Sequence, residues 1–187
     1  MAIDVTYYPI VLTGLTKAHD LEYGLDNVFN YQWVVKIPMD KDGKIKVLII
    51  DDYDMVREQL NDLLETFPEF EVVSTASDGR MAVTLCRMYQ PDVVLMDLHM
   101  TNMDGIEATR LIRKEFPSIQ VVILSMSTDP TSIYDVLQAG AISYLSKSGQ
   151  ISQVPLALSN AYYGMSMLAP EATAVVAKAQ EHKPAAT

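Results

Sequence analysis

Between Lys44 and Tyr163 the chain alternates two kinds of segment, and no other feature constrains its fold as tightly. Short runs rich in β-branched residues read as fully buried parallel strands: Lys46–Ile50, Glu71–Ala76, Asp92–Met96, Gln120–Ser125 and Ala141–Leu145. The stretches between them have helical spacing. Val56, Leu60, Leu63, Leu64 and Phe67 recur at steps of three and four, which places them on one helix face. Start and stop signals agree. Asp78-Gly79 opens a helix that ends before Pro91, and Asp104 with Glu107 has the spacing of a capping box. Asp129-Pro130 puts a cap before a first-turn proline, Gly140 stands where a left-handed terminator would, and Pro155 and Gly164 bracket a last helix. Five strands alternating with five helices predict right-handed crossovers and a three-layer, doubly wound α/β fold around a five-stranded parallel sheet.

The flanks do not share this alternation. Residues 1–44 hold six acids, four lysines and scattered aromatics, with Tyr31–Ile37 a candidate strand and Asp40–Gly43 a turn signal. No periodic face is visible, so this stretch reads as a leader or upstream extension in preference to an accessory arm, ahead of a compact domain over 44–164. Residues 165–187 read as an Ala-rich helix from Pro170 to about Gln180, followed by a linker-like Lys-Pro-Ala-Ala tail.

Composition narrows the function. With 14 basic against 24 acidic side chains the formal charge is −10, which disfavours direct binding of nucleic acid by this chain. Cys86 is the single cysteine, so neither a disulfide framework nor a zinc cluster is available, and on an apolar helix face it reads as a core residue. The aliphatic runs are far short of the ~20 residues of a membrane span, and no secretory signal opens the chain. A soluble, cytoplasmic protein is expected.

Ligands of doubly wound sheets bind at the carboxyl ends of the strands. Here the first strand ends in Asp51-Asp52, the third in Asp97 and the fourth in Ser125, while the fifth runs into Lys147. Three carboxylates drawn together repel by ~4 kcal/mol per close pair at an effective dielectric near 20, and a divalent cation removes that repulsion. Oxygen-only ligands favour magnesium. A carboxylate beside magnesium, a lysine and a serine hydroxyl is equipped to attack phosphorus, and Asp97 is the better nucleophile because the adjacent Asp51 and Asp52 suit the metal.

These residues resemble a known family. Lys46–Asp54 (KVLIIDDYD), Pro91–Gly105 (PDVVLMDLHMTNMDG), Val121–Ser125 (VVILS) and Gly140–Lys147 (GAISYLSK) are similar, in order, to the CheY-like receiver domain of two-component response regulators. The flanking DMVREQL, DGIEATRLIRK and YYGMSMLAPEA resemble the NarL/FixJ subfamily, which usually carries a LuxR-type helix-turn-helix output domain. The resemblance implies that Asp97 accepts phosphoryl from a sensor histidine kinase. Magnesium would be held by Asp51, Asp52, Asp97 and the backbone carbonyl of His99, while Ser125 and Lys147 contact the phosphate. It further implies that Tyr144 is a switch residue that turns inward as Ser125 moves, that His99 and Ser127 tune the acyl-phosphate lifetime, and that homodimers form on phosphorylation. Thr101 and Ser148 replace prolines common in the family, a departure that bears on loop rigidity.

The expected function is therefore a phosphorelay switch with no metabolic activity beyond magnesium-dependent self-phosphorylation and self-dephosphorylation. Moving such a switch from 1:99 to 99:1 takes ~5.5 kcal/mol of differential interaction. Its output is expected to be transcription through a DNA-binding domain that this chain lacks, with a stand-alone receiver acting by protein contacts as the alternative. A magnesium-dependent aspartyl-phosphate phosphatase of the haloacid dehalogenase type would need a second aspartate where His99 stands.

Overall fold

The structure is a computed structural model that describes residues 43–149 and 151–181. The expected extension over residues 1–43, apart from Gly43, and the tail after 181 lie outside the described residues, as does the candidate strand Tyr31–Ile37.

In chain order the elements are β1 (Ile45–Ile50), α1 (Asp54–Glu65), β2 (Phe70–Ala76), α2 (Gly79–Tyr89), β3 (Val93–Met96), α3 (Gly105–Glu115), β4 (Gln120–Ser125), α4 (Pro130–Gln138), β5 (Ser143–Ser146), α5 (Val154–Tyr162) and α6 (Pro170–Glu181). The five strands form one parallel sheet in the order β2-β1-β3-β4-β5. The order reverses between β1 and β3, so their carboxyl ends open side by side. Period-two alternation sends Val47 and Ile49 to one face, where Leu60, Leu64, Val154, Ala157 and Leu158 of α1 and α5 cover them. Leu48 and Ile50 go to the other face, under Ala82, Cys86, Ala108, Ile112, Ile133 and Val136 of α2, α3 and α4. The result is the expected three-layer fold.

The caps are where the sequence puts them. The Asp78 carboxylate accepts from the N–H groups of Arg80 and Met81, that of Asp104 from Glu107, and that of Asp129 from Ser132. Gly140 (φ +107°) and Gly164 (φ +74°) occupy the left-handed region past their helices.

Two strand expectations change. β2 is not fully buried: Glu71 and Thr75 are exposed, because β2 lies at the sheet edge. β5 begins two residues later than the composition suggests, since the Ala141 N–H closes back on the Val136 carbonyl at 3.2 Å and belongs to the end of α4.

Candidate functional site

Each group at the pocket is placed by a strand end. Asp51 and Asp52 follow β1, Asp97 follows β3, Ser125 ends β4 and Lys147 follows β5. The paired register Ile50↔Met96 brings Asp51 and Asp97 level, and the Asp97 N–H donates to the Ile50 carbonyl at 2.8 Å. At the other side, Ser125↔Ser146 register and a 2.8 Å bond from the Lys147 N–H to the Ser125 carbonyl aim Lys147 across the pocket.

Four of the five expected groups meet, and Ser125 ends the neighbouring strand β4. Carboxylate oxygens of Asp51, Asp52 and Asp97 lie within 4.8 Å of one another. The Lys147 ammonium stands 2.6 Å from Asp51 Oδ2 and 3.0 Å from Asp97 Oδ1. Asp51, Asp97 and Ser125 are buried and Asp52 half-buried. Burial pushes the Asp97 carboxyl up, against the pull of Lys147. Burial works to lower the Lys147 ammonium, but its bonds and charges with Asp51 and Asp97 outweigh it and the net direction is up.

One polar atom stands out. Among the described residues, Asp52 Oδ1 is buried and has no hydrogen-bond partner. A buried carboxylate oxygen without a partner costs free energy, and here it sits in a cluster of acids. A divalent cation with oxygen ligands is the group that would satisfy it, so the donor set fits a metal.

The remaining expected residues lie around this centre. His99 follows Asp97 by two residues with its imidazole exposed. Ser127 is half-buried: its N–H donates to Ser125 Oγ at 3.1 Å, and its carbonyl accepts from the Tyr144 hydroxyl at 2.8 Å. Tyr144 is fully buried with its ring inward. That is the inward orientation expected of the switch position. Thr101 and Ser148 are exposed in the loops, and the Ser148 hydroxyl bonds that of Ser146 at 2.6 Å.

Two positioning residues were not singled out from sequence. Arg57 of α1 donates from Nη1 to the Asp51 carbonyl at 2.5 Å and pairs with Asp54, which pins the loop that carries Asp51 and Asp52. The Arg57–Asp54 spacing of three was the available signal. Gly105 lies where an added Cβ would fall 2.3 Å from the Asp97 carbonyl oxygen, so only glycine allows α3 to start this close. Its place inside the quoted aspartate motif was the clue.

Comparison with known proteins agrees with the fold. Residues 47–159 match the response regulator receiver domain family. The transcriptional regulatory protein LiaR of Bacillus subtilis is 43% identical over 120 residues, 64% of this chain and 57% of LiaR. The response regulator protein VraR of Staphylococcus epidermidis is 39% identical over 127 residues, 68% of this chain and 61% of VraR. The chain thus spans less than two thirds of these relatives' length. Among solved structures, a LuxR-family two-component response regulator from Aurantimonas superposes with a TM-score of 0.69 at 29% identity, over 74% of this chain and 99% of that one. The signal receiver domain of a NarL response regulator from Mycobacterium tuberculosis does so at 0.62 and 30%, over 65% and 98%.

Proposed function

The chain belongs to the response regulator receiver domain family, in its LuxR/NarL-type branch, and from that premise we propose that Asp97 accepts a phosphoryl group from a phosphorylated histidine of a sensor kinase. The observation that carries this is the Asp97 carboxylate, buried beside Lys147 at 3.0 Å and clustered with Asp51 and Asp52. A carboxylate oxygen of Asp97 forms the new O–P bond, the donor's N–P bond breaks, and the imidazole leaves with the electron pair and takes up a proton. Lys147 and the Ser125 hydroxyl stabilise charge on the equatorial phosphoryl oxygens. Ser125 Oγ accepts from the Ser127 N–H, which leaves its own proton to donate. Asp51, Asp52, Asp97 and the His99 carbonyl would hold magnesium, which supplies positive charge against the phosphoryl oxygens. Arg57 keeps the Asp51 carbonyl and its loop in place, and exposed His99 together with Ser127 governs access of water to the acyl phosphate.

The output is transcriptional, carried by a helix-turn-helix domain outside these residues. The name of LiaR as a transcriptional regulatory protein supports that reading. Incubation with acetyl phosphate and magnesium, followed by intact mass, tests the acceptor. One added phosphoryl group is expected in the wild type and none in Asp97→Asn. Equal labelling of Asp97→Asn overturns the assignment.

A further inference from the structure

The β5 edge of the sheet is covered by the chain's own later residues. Among the described strands, β5 pairs with β4 on one side only. Along its other side runs the segment Met167–Ala169, which makes a parallel bridge to it. The Tyr144 N–H donates to the Met167 carbonyl at 3.0 Å, and the Ala169 N–H donates to the Tyr144 carbonyl at 2.7 Å. The Met167 N–H donates to the buried Ser143 hydroxyl at 2.9 Å. α6 follows at once and packs on α4, with Ala172 fully buried and Leu168, Ala169 and Val175 against the cluster that holds Ile133, Val136 and Tyr144.

Covering an edge strand prevents wrong pairing, and a short extended segment alone would do that. Two further features go beyond edge protection. Both backbone groups of Tyr144 are engaged by the segment, and the same residue's hydroxyl reaches the loop after β4 through Ser127. From Ser127 one bond leads on to Ser125 Oγ, and the Ser125 carbonyl in turn holds the Lys147 N–H. The docked residues also close the flank of β5, so the Tyr144 ring cannot leave the interior there without displacing apolar contacts. Burial raises the Tyr144 phenol, and Glu171 on α6 is near enough to add to that.

We propose that residues 167–181 form an intramolecular latch whose docking on the β5 edge and α4 is coupled, through Tyr144 and Ser127, to the acidic pocket. The inference rests on the reading of Asp97 as phospho-acceptor. Docked, the latch holds Tyr144 inward, with the Ser125 hydroxyl proton available to a phosphoryl oxygen. A phosphoryl group on Asp97 favours the same arrangement and so tightens the latch. Coupling between two sites is reciprocal, so the latch strengthens phosphoryl binding by the same factor.

Beryllofluoride with magnesium serves as a reversible phosphoryl probe. In the full chain it is expected to slow amide hydrogen exchange across α6 by roughly fivefold or more, in line with ordinary coupling factors. Ala172→Glu puts a charge in the buried contact, opens the latch, and weakens beryllofluoride binding by a matching factor. Tyr144→Phe is a milder change that keeps α6 docked but shrinks the probe-dependent difference in exchange. Intact mass after acetyl phosphate, on the same samples, separates the two possible failures. Absence of an added phosphoryl group in the wild type sinks the acceptor reading. A labelled wild type whose α6 exchange does not respond to beryllofluoride overturns the latch.

Discussion

Lys147→Met keeps an unbranched chain as far as Cε and removes the ammonium that offsets two buried carboxylates. That ammonium lies 2.6 Å from Asp51 and 3.0 Å from Asp97. At an effective dielectric near 20 each pairing amounts to roughly 6 kcal/mol, and two carboxylates left at the 4.8 Å limit of the cluster repel by roughly 3–4 kcal/mol. Desolvation cancels much of the attraction, so the net cost of breaking such a pair is about 3–5 kcal/mol. Against a typical domain stability of about 5–15 kcal/mol this is a large share. Urea titration at neutral pH in chelator should show that loss as a lower midpoint at unchanged slope. In magnesium at about a hundred times its dissociation constant, cation binding restores about 2.7 kcal/mol. The variant should gain more from magnesium than the wild type does, because no ammonium competes for the Asp51 and Asp97 oxygens. A variant as stable as the wild type in chelator, or equally destabilised in both buffers, would refute the charge coupling on which the site is built.

Two further outcomes follow from particular contacts. Gly105→Ala forces a methyl to within 2.3 Å of the Asp97 carbonyl oxygen, so the start of α3 must shift. A loss of about 1–3 kcal/mol in urea titration is expected, with slower acetyl phosphate labelling, and an unchanged midpoint and rate would contradict the close approach. Burial, helped by the charge of Glu115, pushes the Cys86 thiol from its usual 9.0 up to about 12. Its contribution to stability is complete below pH 9 and lost as pH rises toward 12, because only the unfolded chain releases the proton there. The slope is up to about 1.4 kcal/mol per pH unit, and Cys86→Ala should flatten the alkaline fall by that amount in urea titrations at stepped pH.

Much of this protein is legible from local chemistry. A strand that must be apolar on both faces shows itself as a β-branched run, and Asp78, Asp104 and Asp129 announce helix starts because a side-chain oxygen satisfies N–H groups only a few residues away. The site was readable too, since the carboxyl ends of buried strands are where Asp51, Asp52, Asp97, Ser125 and Lys147 fall. Arg57 was not, because a charge on a helix looks solvated until its contact to the Asp51 carbonyl is seen. The exposed residues of β2 were missed for a similar reason, as strand order is set by non-local pairing.

Sequence alone settled the alternation, the caps and the chemical identity of the pocket groups, because these depend on periodicity and on partners within one turn. Which carboxylates the ammonium bridges, how closely α3 approaches Asp97, and that Met167–Ala169 lies on β5 with Tyr144 held inward were decided only by tertiary structure. Those contacts join residues far apart in the chain, where distance in space is set by packing of the whole sheet and leaves no trace in local spacing.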